Sequence, residues 1–159
     1  MRNTGVAYRP EVDVTHRELA AQCFNAAWDL IEKPARTPEE TDQMIDLAHA
    51  SRWHWTQARD CTPLNLAVAS WQLSRVYALA GVPSEATRHA QASLQLCEAH
   101  ELPPFYEAYA YEALARGAQG DERDRYLSVA RDLAPRVEKE RDRALLLKDL
   151  DDIQLSADS

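Results

Sequence analysis

The chain has 159 residues, of which 45% are apolar and 28% are charged, and its formal net charge is −8. This length fits one globular domain that can bury enough apolar surface to fold without disulfides or a structural metal. The acidic balance excludes non-specific nucleic-acid binding, because a net negative surface repels phosphates. Glycine is scarce while Ala, Leu, Glu and Arg dominate, which favours helices over strands.

Three cysteines, Cys23, Cys61 and Cys97, occur without a CxxC pair, and the sequence carries no metal-binding or phosphate-binding motif. We therefore expect no metal, no cofactor and no catalytic centre. The first ten residues lack the apolar core of a signal peptide, and no apolar run approaches membrane-spanning length. The sequence thus predicts a cytoplasmic, non-catalytic protein that binds neither membranes nor nucleic acids.

Prolines, glycines and threonine caps divide the chain into seven predicted helices. Residues 1–12 are expected to form a flexible N-terminal arm, and a first helix then runs to about Lys33. Thr37, Pro38 and Glu40 make a strong start for the second helix. They supply a threonine cap, a proline at the first helical position and the glutamate of a capping box.

The later helices are bounded by the same kinds of residue. The seventh helix is predicted to end near Leu150, and residues 154–159 are expected to form a flexible tail. Residues 13–153 are thus predicted to fold as a single all-α domain. The predicted helix breaks lie at residues 34–37, 60–62, 81–84, 102–104 and 117–121 and at Pro135.

An internal repeat emerges when the chain is shifted by 37 residues. Segment 71–97 then lies over segment 108–134, and the two agree in residue class and in the positions of their helix breaks. Two helices per unit at this period resemble the tetratricopeptide repeat. The residues at signature spacings are Leu73, Tyr77 and Ala86 in the first unit and Ala130 and Pro135 in the second.

The resemblance implies about seven helices, arranged as antiparallel hairpins stacked in a tetratricopeptide-like array with a C-terminal capping helix. Leu146, Leu150 and Ile153 form a narrow apolar stripe, as expected for the inner face of such a cap. The chain is also similar to a group of small uncharacterised bacterial proteins, which implies no activity. The segments that carry this second likeness are 51–55, 71–77 and 108–116.

A polar cluster interrupts the apolar faces of the third and fifth predicted helices. Trp71 and Arg75 share an apolar stripe, which is an unusual position for a charge, and the 37-residue shift lays Arg75 over Glu112. We therefore expect a direct or water-bridged contact between Arg75 and Glu112, with Arg116 nearby. The tetratricopeptide resemblance implies that this face lines a partner-binding groove. Its predicted residues are Trp71, Arg75, Phe105, Tyr109, Glu112 and Arg116.

Two interpretations of this cluster stay open. One is a structural network that clamps adjacent hairpins, the other is a site where one arginine has spare donors for a ligand carboxylate or a peptide terminus, and the two are compatible. The leading functional hypothesis is an interaction module that binds a peptide or partner helix of unknown identity. The alternatives are a self-associating homodimer, and a small-molecule sensor or enzyme with a pocket around Arg75, Glu112 and His54.

A second candidate interface lies on the second predicted helix. Trp53 and Trp55 are two residues apart, so their side chains point in different directions. Trp55 joins the apolar stripe of that helix, which leaves Trp53 either exposed or covered by another group. Trp53 and His54 are therefore predicted as interface residues, because exposed tryptophans are frequent at the energetic centres of interfaces.

Overall fold

The computed structural model describes residues 14–157, and this part of the chain is all-α, as predicted. The predicted arm at residues 1–12 and the last two residues of the predicted tail lie outside it. A short 3₁₀ turn, Ala134–Arg136, precedes the last helix. The helices are α1 (His16–Ile31), α2 (Pro38–Gln57), α3 (Pro63–Leu79), α4 (Pro83–Ala99), α5 (Pro104–Gly117), α6 (Gly120–Leu133) and α7 (Glu140–Ala157).

Local chemistry explains where most helices begin. Helices α1, α2 and α3 each start after a threonine whose hydroxyl accepts a backbone N–H three residues later, and the side chain at that position bonds back to the threonine N–H. Helices α2 to α5 begin with proline, whose missing N–H is not needed there. The helix breaks accordingly fall in the predicted intervals.

The reversals after α3 and α4 use the same backbone geometry. Gly81 has a φ of 74°, and the N–H of Val82 donates to the carbonyl of Tyr77 at 2.9 Å. After α4, Glu101 has a φ of 48°, and the N–H of Leu102 donates to the carbonyl of Cys97 at 3.0 Å. Both turns therefore end a helix through one residue in the left-handed region.

The helices form two rows. Helix α1 contacts α3, α3 contacts α5 and α5 contacts α7, while α2, α4 and α6 pack against their odd-numbered neighbours. Successive hairpins are thus stacked side by side, as an array of this kind requires. The consequence for function is that the four odd-numbered helices share one face of the molecule.

The last helix covers the end of the array. Leu146, Leu150 and Ile153 are buried in the core formed with α5 and α6, so the predicted inner face of the cap is confirmed. The predicted end near Leu150 is wrong, because α7 continues to Ala157. Arg131 of α6 donates to Asp151 at 2.8 Å and to Gln154 at 3.2 Å, and these bonds support the added turns. Within residues 14–157 no helix has the length and apolarity needed to cross a membrane.

Candidate functional site

A cavity of about 460 Å³ opens on the face shared by the odd-numbered helices. Its walls are formed by the end of α1, the middle of α3, the first two turns of α5 and the first half of α7, with Ser93 of α4. We call it the aromatic pocket, because aromatic side chains dominate its lining and Glu32, Arg75 and Asp149 supply the charged groups. The lining residues are Trp28, Glu32, Ala67, Val68, Trp71, Arg75, Ser93, Phe105, Tyr106, Tyr109, Leu145 and Asp149.

Ring-to-ring contacts hold the aromatic side chains around this cavity. The ring centroid of Trp71 lies 5.6 Å from that of Trp28 and 5.7 Å from that of Tyr109. Phe105 packs edge-on against Tyr109, with 4.9 Å between the ring centroids. Such tilted and edge-to-face pairs are favourable, so the rings support one another in place across α1, α3 and α5.

A second cavity, of about 210 Å³, adjoins the first. We call it the arginine pocket, because Arg75 of α3, Arg116 of α5 and Arg123 of α6 all line it. Ile153 and Ser156 of α7 form part of its wall, and no acidic side chain of the described residues is among its lining. Arg75 lines both cavities, so the aromatic and arginine pockets meet at its side chain.

Glu112 lies beneath the two pockets, with 1% of its surface exposed. Its carboxylate accepts a hydrogen bond from the indole Nε1 of Trp71 at 3.3 Å and another from Nε of Arg116. No ion pair within 4.0 Å joins Glu112 to Arg75 among residues 14–157, so a direct contact between them, as one form of the prediction had it, is wrong. The water-bridged form stays a prediction. Arg116, one helical turn after Glu112 on α5, donates to the carboxylate that Arg75 was expected to contact.

Arg75 is nevertheless close to the rest of the cluster. Burial is the main cause that lowers the pKa of its guanidinium, and the neighbouring charge of Arg116 lowers it further. Glu112 and Asp149 act in the opposite direction. The Nε of Arg75 is buried and has no hydrogen-bond partner within residues 14–157. Arg75 is therefore a largely buried cation, and its Nε has no acceptor among the described residues.

Tyr109 of α5 is hydrogen-bonded to α7 beside the aromatic pocket. Its hydroxyl donates to Oδ2 of Asp149 at 2.8 Å. Burial, followed by the hydrogen bond to Asp149, raises the pKa of Tyr109 far above its ordinary value, so the hydroxyl stays protonated. The bond orders two lining residues of the aromatic pocket and fixes the first half of α7 against α5.

Five of the six predicted groove residues line the two pockets, and the sixth, Glu112, is buried. Trp71, Arg75, Phe105 and Tyr109 line the aromatic pocket, and Arg75 also lines the arginine pocket together with Arg116. Glu112 lines neither cavity; it supports both from below.

Sequence reasoning missed the contributions of α1, α6 and α7. Trp28, Leu145 and Asp149 complete the aromatic pocket, and Arg123 completes the arginine pocket. The predicted array could have indicated Trp28, Leu145 and Asp149, because the odd-numbered helices of stacked hairpins share a face. We find no comparable sequence signal for Arg123.

Trp53 and His54 lie outside these pockets. Trp53 is 55% exposed, which is one of the two predicted alternatives, and its ring contacts those of His16 and His54. Nδ1 of His54 lies 2.8 Å from Nδ1 of His16, so one imidazole must donate and the other must accept. The predicted pocket joining His54 to Arg75 and Glu112 is therefore not formed, because His54 bonds to α1 instead.

The fold and the site define a class of structure: an all-α helical array with an aromatic concave pocket beside a cationic one. Comparisons of the chain with protein-family models, curated proteins and solved structures found no match. The tetratricopeptide resemblance therefore stays a prediction. Among residues 14–157 there is no group of three or more His, Cys, Asp or Glu side chains placed to hold a metal ion.

Proposed function

We propose that this chain is a non-catalytic interaction module that binds a segment of a partner protein in its concave groove. The aromatic pocket between α1, α3, α5 and α7 is the observation that carries this proposal. An apolar side chain of the partner would enter the pocket, where full burial contributes roughly 1.5–3 kcal/mol. The aromatic rings would lose little conformational entropy when this side chain binds, because their mutual contacts already order them.

Apolar surface along the same face supports a ligand longer than one side chain. Leu145 of α7 lines the aromatic pocket and is 50% exposed, and Leu79 of α3 lines the arginine pocket and is 37% exposed. A peptide or an amphipathic helix that fills the pocket would also cover these leucines. Grooves that receive helices use apolar side chains spaced along one face in this way.

A small-molecule ligand is the second candidate, and the size of the cavity favours it. At about 460 Å³ the aromatic pocket falls within the range of roughly 300–1,000 Å³ typical of small-molecule sites. Arg75 would then pair with an acidic group of that molecule. The third candidate, a homodimer, would use the exposed Leu145 and Leu79 as the contact between two copies.

The test is a selection of random twelve-residue peptides on the immobilised protein, followed by affinity measurements on the selected sequences. Leu145→Glu places a charge at the rim of the aromatic pocket without disturbing a buried side chain. Val129→Glu is the matched control, because Val129 is 37% exposed on α6 and lines neither pocket. We expect Leu145→Glu to weaken peptide binding by at least about tenfold and Val129→Glu to leave it unchanged.

The other outcomes separate the candidates. Peptides that bind Leu145→Glu as well as the original chain would contradict binding in the groove. If no peptide is selected while aromatic acids bind, the small-molecule candidate replaces the proposal. A concentration-dependent dimer in analytical ultracentrifugation that Leu145→Glu abolishes would assign the groove to a second copy of the chain.

A further inference from the structure

The arginine pocket gathers three guanidinium groups from three different helices. Arg75, Arg116 and Arg123 line one cavity of about 210 Å³, although the chain as a whole carries a net charge of −8. Positive charges repel one another when they are brought together, and this repulsion is one reason that the pKa of Arg75 is lowered by Arg116. A folded protein retains such a cluster at a cost, unless an anion neutralises it.

The acidic groups nearby neutralise the cluster incompletely. Glu112 pairs with Arg116 and receives the indole N–H of Trp71. Asp149 accepts the hydroxyl of Tyr109 and lines the aromatic pocket, and Asp152 pairs with Lys148. The Nε of Arg123 donates to the carbonyl of Ala118, so the remaining N–H groups of its guanidinium are available to an anion. Neither Arg75 nor Arg123 is paired with a carboxylate at ion-pair distance in the described part of the chain.

We propose that the arginine pocket binds the phosphate of a phosphate monoester whose apolar group occupies the adjoining aromatic pocket. This inference deepens the proposed function, on which it rests for the occupant of the aromatic pocket. A phosphate monoester carries a charge of about −1.5 to −2 near neutral pH, which matches the two guanidiniums left without a carboxylate. Its three terminal oxygens can each accept hydrogen bonds from a different arginine, whereas a carboxylate has two oxygens for three donors.

The junction between the two pockets defines the shape of the ligand. Because Arg75 lines both cavities, the phosphate would lie next to the apolar group rather than at a distance along a chain. An aryl phosphate has this arrangement. Two sources share the chemistry: a phosphorylated aromatic side chain of a partner segment, and a free small-molecule phosphate.

The experiment compares four probes by isothermal titration calorimetry on the full chain: phenyl phosphate, inorganic phosphate, benzoate and end-blocked phosphotyrosine. We expect phenyl phosphate to bind at least about tenfold more tightly than either inorganic phosphate or benzoate. If end-blocked phosphotyrosine binds as tightly as phenyl phosphate or more tightly, a partner segment is the source. If phenyl phosphate binds and the blocked amino acid is rejected, the source is a small molecule.

Three variants test the arginines. Arg75→Gln and Arg123→Gln should each weaken phenyl phosphate binding by at least about tenfold. Arg75→Gln should be at least as stable to thermal unfolding as the original chain, because Arg75 makes no ion pair that could be lost and its removal relieves repulsion from Arg116. Arg125→Gln is the control, since Arg125 is exposed on α6 and lines neither pocket.

Several results would overturn the inference. Benzoate binding as tightly as phenyl phosphate would show that the pocket takes carboxylates. Phenyl phosphate affinity unchanged in both Arg75→Gln and Arg123→Gln would show that the phosphate lies elsewhere. No binding of phenyl phosphate, together with peptide selection that depends on Leu145, would remove the phosphate site and leave the proposed function standing.

Discussion

The indole Nε1 of Trp71 donates to Oε2 of Glu112 at 3.3 Å, joining α3 to α5 beneath the groove. Glu112 is 1% exposed, and its other oxygen accepts from Arg116. A buried carboxylate that keeps its charge needs such donors, because desolvation without them costs several kcal/mol. Trp71 therefore has two roles: its ring faces the aromatic pocket, and its N–H supports the buried charge.

Removing this carboxylate should destabilise the fold. We expect Glu112→Ala to lower the free energy of unfolding by about 3 kcal/mol, because Arg116 and the Trp71 N–H lose their acceptor. A double-mutant cycle in urea should give a coupling of about 1–2 kcal/mol between Glu112 and Arg116. The coupling between Glu112 and Arg75 should be smaller, because no ion pair joins them. A larger Glu112–Arg75 coupling would contradict the arrangement described.

The hydrogen bond between Tyr109 and Asp149 should stabilise the contact between α5 and α7. Tyr109→Phe removes the donor and leaves a carboxylate without it, so we expect a loss of about 1.5–3 kcal/mol in the free energy of unfolding. Tyr106→Phe is the matched control: Tyr106 lines the same pocket, and its hydroxyl has no hydrogen bond to the described residues. Equal losses in the two variants would argue against a specific α5–α7 bond.

The stability of the protein should depend on pH through His89. Burial, followed by the charge of Arg88, lowers the pKa of His89 from its ordinary 6.5 to about 4. The unfolded chain therefore binds the proton first, and stability falls as the pH drops from 6.5 towards 4, by at most about 3 kcal/mol. Well above pH 6.5 this histidine contributes no pH dependence, because it is then neutral in both states.

Denaturant titrations at pH 7, 5 and 4 test this dependence. Between pH 7 and pH 4 the original chain should lose more stability than His89→Gln does. His100→Gln, at an exposed position after α4, should behave like the original chain. Parallel pH profiles for the original chain and His89→Gln would show that His89 titrates as it does in the unfolded chain.

Glycine should be favoured at both left-handed turns, so removing it from the first and adding it to the second should have opposite effects on stability. Gly81→Ala should cost about 1 kcal/mol, because an alanine side chain is strained at a φ of 74°. Glu101→Gly should stabilise the fold by about 0.5–1 kcal/mol, because it relieves the same strain at a φ of 48°. Glu98→Gly, in the last turn of α4, is the control and should be destabilising. Melting temperatures of the three variants measure the differences.

Much of the fold could be predicted from local chemistry. Thr37, Pro38 and Glu40 specify a helix start through groups that lie within four residues of one another, so no tertiary information is needed to recognise it. Gly81 marks a turn for the same reason, since few other residues adopt its backbone conformation readily. The end of α7 was predicted less well, because its last turns are supported by Arg131 of another helix.

By itself the sequence determined the helices, and its 37-residue period was enough to bring Trp71, Arg75, Phe105, Tyr109 and Arg116 to one surface. Only the tertiary structure decided which donors the buried carboxylate of α5 accepts, and that α1, α6 and α7 complete the pockets. The physical reason is one of distance. Periodicity assigns a residue to a face of a helix, but a hydrogen bond depends on differences of about 0.5 Å. Those differences are set by how neighbouring helices rotate and pack.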